Sequence, residues 1–237
     1  MKTVLAVLSA AAFIPVLTFI NNLSLVSFSD KTTANALAAS AKYPFTVMFI
    51  LIAILPALVE EMLFRGIYYH VYKKAGSLIG ILVSALFFGL MHSNFNQFAY
   101  AFVAGLVFSI FVSLSGSLVY TVIMHILING TTVFTFYSKD FGLNLPRYFT
   151  ESHHESVSEV FSYYFLPALI GVFVMVLCVS ALFCMKKQAE KAGKSAEIDT
   201  EILKGSFKVR FFGIMDQYFF TGVTIMVLNM IAVEIIK

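Results

Sequence analysis

The sequence predicts an all-α fold: a polytopic transmembrane helical bundle of about seven membrane helices, with polar groups held inside it. Three observations predict it. Hydrophobic residues make up 59% of the 237 positions and charged residues only 12%, about half the roughly 25% of a soluble domain. Mean hydropathy is +0.88. Apolar segments recur at about 4–28, 43–72, 77–96, 98–114, 117–137, 160–185 and 211–236. Crossing ~30 Å of hydrocarbon takes about 20 helical residues, and most segments reach that length.

The first segment, MKTVLAVLSAAAF, opens like a signal peptide, but its apolar run continues through IPVLTF, so a retained membrane helix is expected. The second would be ~45 Å long as a continuous helix and contains Pro56, so it should kink there. Short turns join segments two to five. Gly80/Ser84 and Ala101/Gly105 are small residues at four-residue spacing, which favours close helix contacts. Cys178 and Cys184 share one apolar run; six helical residues part them by ~9 Å, too far for a disulfide. The chain therefore forms a single integral membrane domain, 1–237, with longer loops at 29–42 and 138–159 and a charged cytoplasmic loop at 186–210.

Charge adds two exclusions and an orientation. The net charge is +3, and no basic stretch interleaved with aromatics marks a nucleic-acid partner. Trp is absent, leaving Tyr and Phe for the membrane interfaces. With the N-terminus inside, Lys2, Lys73, Lys74 and the 186–210 lysines fall on the inner side, which outweighs Lys31, Lys42, Lys139, Arg147 and Lys237 outside.

Against that background VEEMLFRG is out of place: Glu60, Glu61 and Arg65 lie inside an apolar segment. A charge at bilayer depth costs from ~2.5 kcal/mol upward and is usually paired or functional. Glu61 and Arg65 are i, i+4 and can pair. Glu60 points about 100° away and has no local partner. A proton, a metal or an imidazole must answer it. His92 lies near the far end of the next segment, with Phe88 one turn earlier. His125 and Asn129 share one face of a later segment. Counting 1.5 Å per residue from the inner turns puts Glu60 at ~21 Å, His92 at ~24 Å, Asn129 at ~20 Å and His125 at ~14 Å. Three helices thus carry five polar groups toward one layer, nearer the outer leaflet, with His125 one turn below.

EEMLFR, FGLMH and HILIN match the patterns E-E-x-x-x-R, F-x-x-x-H and H-x-x-x-N. In order and spacing they resemble the CPBP family, also called the Abi or type II CAAX prenyl endopeptidase-like family of intramembrane proteases. The resemblance covers about residues 43–137. It implies hydrolysis of peptide bonds in membrane-associated or lipidated peptide substrates, by a multi-pass protein expected in a bacterial cell membrane. Glu60 would activate water together with His92, and Glu61 and Arg65 would hold the geometry. His125 and Asn129 would bind a metal or donate hydrogen bonds to the oxyanion. Glu60, His92 and His125 are the candidate ligands of a divalent metal such as zinc. A metal-free glutamate mechanism stays open beside it.

The competing readings are a proton-coupled transporter, since intramembrane carboxylates and histidines also mark proton paths, and a non-catalytic scaffold or immunity protein on the same fold. Phe88 reads as core packing, and His70 as an interfacial residue. His153 and His154, between Glu151 and Glu155, read as a solvated loop.

Overall fold

The computed structural model describes residues 1–28, 39, 42–146, 148, 156–193 and 217–236. The loop reading of Glu151, His153, His154 and Glu155 lies outside the described residues, as do Lys31, Arg147, Lys237 and the stretch 194–216. Among the described residues there are seven main helices and no strand: α1 Lys2–Leu25, α2 Phe45–Ala75, α3 Ser77–Leu90, α4 Phe95–Ser115, α5 Val119–Tyr137, α6 Val157–Lys191 and α7 Gln217–Ile236. The predicted fold class holds. Helices α1, α2, α4, α5 and α6 are long and apolar enough to cross a membrane.

Three elements depart from the sequence reading. Helix α2 carries two π-helical stretches, Phe49–Ile54 and Met62–Tyr68, on either side of the paired carboxylates. Pro56 follows directly after the first of them; a widened turn there accommodates a residue with no N–H to donate. Helix α3 stops at Leu90 after 14 residues, ~21 Å, well short of the predicted 96. Its chain turns through Met91–Asn94, and the Asn94 side chain caps α4 by accepting from the amides of Asn96 and Gln97. Finally, residues 186–191, expected in a loop, are the last turns of α6. Lys, Gln, Ala and Glu extend a helix readily, and Gly193 ends it with a left-handed φ of 64°.

Lipid gives helices no hydrophobic reason to associate, so close packing at small residues must hold them. Gly105 of α4 lies against Ala85 of α3, where an added Cβ would sit 2.7 Å from the Ala85 Cα. Gly171 of α6 lies against the Ala12 carbonyl of α1 in the same way. The central cluster draws Phe13 from α1, Phe64 from α2, Phe87 and Phe88 from α3, Phe108 and Phe111 from α4, and Met124 from α5. Outward, α2 presents Leu51, Leu55, Leu58, Val59, Met62 and Ile67, all exposed, as a helix bordering hydrocarbon does. Cys178 is buried and Cys184 exposed, and both are free.

One end of the bundle is fixed by lysines. Lys2 at the start of α1 donates to the Ser115 carbonyl at 2.8 Å, and Lys186 near the end of α6 donates to the Ser113 carbonyl at 3.1 Å. The start of α1 and the ends of α4 and α6 therefore share one side, as the charge count requires.

Candidate active site

The site is built on α2. Glu61 and Arg65 face inward and are completely buried. Arg65 Nη1 donates to Glu61 Oε1 at 2.8 Å, the predicted i, i+4 pair. Arg65 Nε and Nη2 have no hydrogen-bond partner among the described residues. Aromatic faces meet the guanidinium instead: Phe88 at 4.2 Å and Phe108 at 5.1 Å from ring centroid to the guanidinium carbon. An aromatic face carries partial negative charge and stabilises a desolvated cation without accepting a hydrogen bond. The expectation that Phe88 is core packing is thus incomplete: its ring touches Arg65, His92 and His125 together.

His125 of α5 bridges the two carboxylates. Its Nδ1 lies 3.1 Å from Glu61 Oε1 and its Nε2 lies 3.8 Å from Glu60 Oε2. Glu61 is held ionised by Arg65 and can only accept, so Nδ1 carries a proton and donates. The Nε2 atom faces Glu60. Two carboxylates and one guanidinium sum to −1. Glu60 is the carboxylate not consumed by Arg65. Its side chain is 20% exposed where that of Glu61 is 0%, and its neighbours Val59 and Met62 are exposed toward lipid. Glu60 therefore stands on the border between the interior and the outer face of α2.

His92 lies in the turn after α3, its ring 5.4 Å from that of Phe88, which also meets His125 at 5.8 Å. Its Nδ1 donates to the Phe88 carbonyl at 2.9 Å, which leaves Nε2 of the neutral ring as an acceptor. Sequence reasoning singled out Glu60, Glu61, Arg65, His92 and His125, and the structure brings them around Phe88.

Asn129 corrects the predicted layer. Its side-chain amide donates to the Ile52 carbonyl at 3.2 Å, two turns before Glu60 on α2, and His125 takes the place at the carboxylates. The π stretch Met62–Tyr68 between Glu60 and the inner turn accounts for part of the shift, since a wider turn advances less per residue and lowers Glu60 from where a uniform rise of about 1.5 Å places it. Glu60, His92 and His125 are the predicted metal ligands. Among the described residues no three His, Cys, Asp or Glu side chains gather into a group able to hold a metal ion. In both histidines Nδ1 is committed, to Glu61 and to a carbonyl, which leaves Nε2 of each ring open to a ligand.

Residues 42–131 match a family model, Rce1-like: Type II CAAX prenyl endopeptidase Rce1-like. This segment resembles that family. The match bears out the resemblance drawn from the three motifs, and at family level it supports a CAAX-type protease within the membrane. No curated protein and no solved structure matches the chain. The Rce1-like segment holds α2, α3, α4 and most of α5, and so every residue of the cluster.

Helices outside the Rce1-like segment nonetheless reach its His92 turn. Asn96, fully buried, donates to Asn21 Oδ1 of α1 at 2.9 Å. Asn229 of α7 donates to Ser93 Oγ at 2.9 Å, and Ser93 has a left-handed φ of 53°. Sequence reasoning missed these residues, and also Phe108. His70, read as interfacial, is exposed, and its Nδ1 donates to the Arg65 carbonyl at 2.7 Å, within the second π stretch. Ser84 Oγ donates to the Phe64 carbonyl in the same stretch at 2.8 Å.

Proposed function

We propose that this protein is an intramembrane endopeptidase that cleaves membrane-associated or lipidated peptides with water activated by Glu60. The observation that carries the proposal is the division of labour between adjacent carboxylates. Glu61 is locked to Arg65 and His125, while Glu60 is partly accessible and its ion partner among the described residues is His125 Nε2 at 3.8 Å. A general base needs an accessible oxygen beside a group that accommodates the proton it gains.

In this reading Glu60 takes a proton from water as the oxygen attacks the scissile carbonyl. His125, fixed by its Nδ1–H bond to Glu61, answers the change of charge on Glu60. His92 presents Nε2 to the reacting groups because Nδ1 is tied to the Phe88 carbonyl; once protonated, Nε2 can donate to the oxyanion or the leaving amine. Arg65 keeps Glu61 ionised, and Phe88 seals the floor between them. The exposed apolar residues flanking Glu60 suit a substrate arriving sideways through lipid.

The test is cleavage of a quenched peptide library by purified protein in detergent, wild type beside Glu60→Gln, with and without a chelator. Cleavage by wild type that Glu60→Gln abolishes and the chelator leaves intact is the expected result. Loss of cleavage on chelation would overturn the metal-free step. Cleavage surviving in Glu60→Gln would remove Glu60 as base.

A further inference from the structure

The inner end of the bundle gathers cations that the proposed chemistry does not use. Lys2 of α1, Lys73 and Lys74 at the end of α2, and Lys186 and Lys187 of α6 all belong to that end. Lys2 and Lys186 converge on the last carbonyls of α4 at 2.8 and 3.1 Å. Lys73 lies close enough to Lys186 for the two ammonium groups to repel. None of the five makes an ion pair with a described residue.

Capping accounts for only part of this charge. The C-terminal ends of α2, α4 and α6 each carry roughly −0.5 of an elementary charge, against five ammonium groups. Three of the lysines, Lys73, Lys74 and Lys187, are exposed and make no bond to α4. Beside them the surface turns apolar at once: Leu78 and Phe183 are exposed, and the Lys187 ammonium lies 4.7 Å from the Phe183 ring centroid. A ligand that fits combines an anionic head with hydrocarbon beneath it.

We propose that this lysine cluster binds the phosphodiester headgroup of an anionic glycerophospholipid, with the acyl chains running along the apolar surface beside Leu78 and Phe183. Basic pockets between membrane helices at this depth suit such headgroups. The site is independent of the cleavage chemistry and stands or falls without it.

Native mass spectrometry of the full chain in detergent tests it. Wild type is titrated with phosphatidylglycerol and with phosphatidylcholine of the same acyl chains, beside Lys73→Gln/Lys74→Gln, whose ammonium groups make no hydrogen bond to the end of α4, and beside Lys139→Gln at the far end as control. The expected result is a preference for phosphatidylglycerol that falls about tenfold in the double variant and is unchanged in the control. Lys73→Arg/Lys74→Arg should retain it. Equal retention of both lipids by wild type would overturn the proposal, as would an undiminished preference in the folded double variant. Displacement of phosphatidylglycerol by millimolar inorganic phosphate would also overturn it, by making the site one for a free anion.

Discussion

Asn129 donates its side-chain amide to the carbonyl of Ile52 at 3.2 Å, inside the first π stretch and four residues ahead of Pro56, which has no N–H to offer. The two residues sit on different helices, so the bond both mends α2 and fixes α5 against it. Replacing Asn129 with Ala leaves a carbonyl in lipid without that donor, and stability should fall by about 1–3 kcal/mol. Pro56→Ala supplies an amide at position 56 and should return part of the loss in the double variant. Thermal unfolding of the four proteins in detergent measures the cycle. If Asn129 instead donates to the oxyanion, cleavage in the double variant stays collapsed while its stability recovers.

Glu60 and Glu61 should respond oppositely to the same substitution. Glu60→Gln is expected to leave the unfolding temperature near wild type, because Glu60 is partly accessible and its nearest described ion partner is His125 at 3.8 Å. Glu61→Gln leaves Arg65, completely buried, without its counter-charge. Breaking a buried pair from one side costs about 3–5 kcal/mol, so the variant should unfold at a much lower temperature or fail to accumulate. Removing both charges, as Glu61→Gln/Arg65→Met, should restore much of the stability without restoring cleavage.

Phe88 offers a third test. Its ring lies 4.2 Å from the guanidinium carbon of Arg65. Phe88→Leu keeps most of the volume and removes the aromatic face, so it should destabilise by about 0.5–2 kcal/mol. Denaturation of Phe88→Leu in the Arg65→Met/Glu61→Gln background isolates the aromatic share, which should vanish there.

The first turn of α4, which directly follows the turn that carries His92, is held from outside the matched segment by the bond from Asn96 to Asn21. Asn21→Ala frees that turn while leaving every member of the charge cluster in place. A peptide-cleavage assay should then show a lower kcat with KM little changed, and Asn21→Gln should recover less than Asp at the same position, which keeps the acceptor at its length. An equal change in KM alone would deny Asn21 a positioning role.

How much of this was legible beforehand differs residue by residue. Glu61 with Arg65 could be read from four-residue spacing, because one helical turn brings them together whatever surrounds them. The meeting of His125 with both carboxylates could be read only as a shared neighbourhood. Its level depended on a uniform rise, and nothing in MLFRGIY signals a π stretch. The early end of α3 did have a signal in Asn94, since an asparagine ahead of FNQFAY is a good N-cap, but the surrounding apolar run concealed it. Phe108 could not be found at all: one Phe among 26 carries no mark that its ring faces a guanidinium.

The two π stretches of α2 also set how this helix tolerates length changes. Each accommodates a surplus residue that an ordinary helical turn would not hold, so the pair works as a vernier on the angle of the carboxylates. Deleting one residue within Phe49–Ile54 would let the turn close to α-helical pitch, with Glu61 and Arg65 still facing the Phe88 floor. The same deletion in an ordinary α-helical turn would swing everything beyond it by about 100°. In these two segments a change of length is absorbed; elsewhere in the helix it is a rotation.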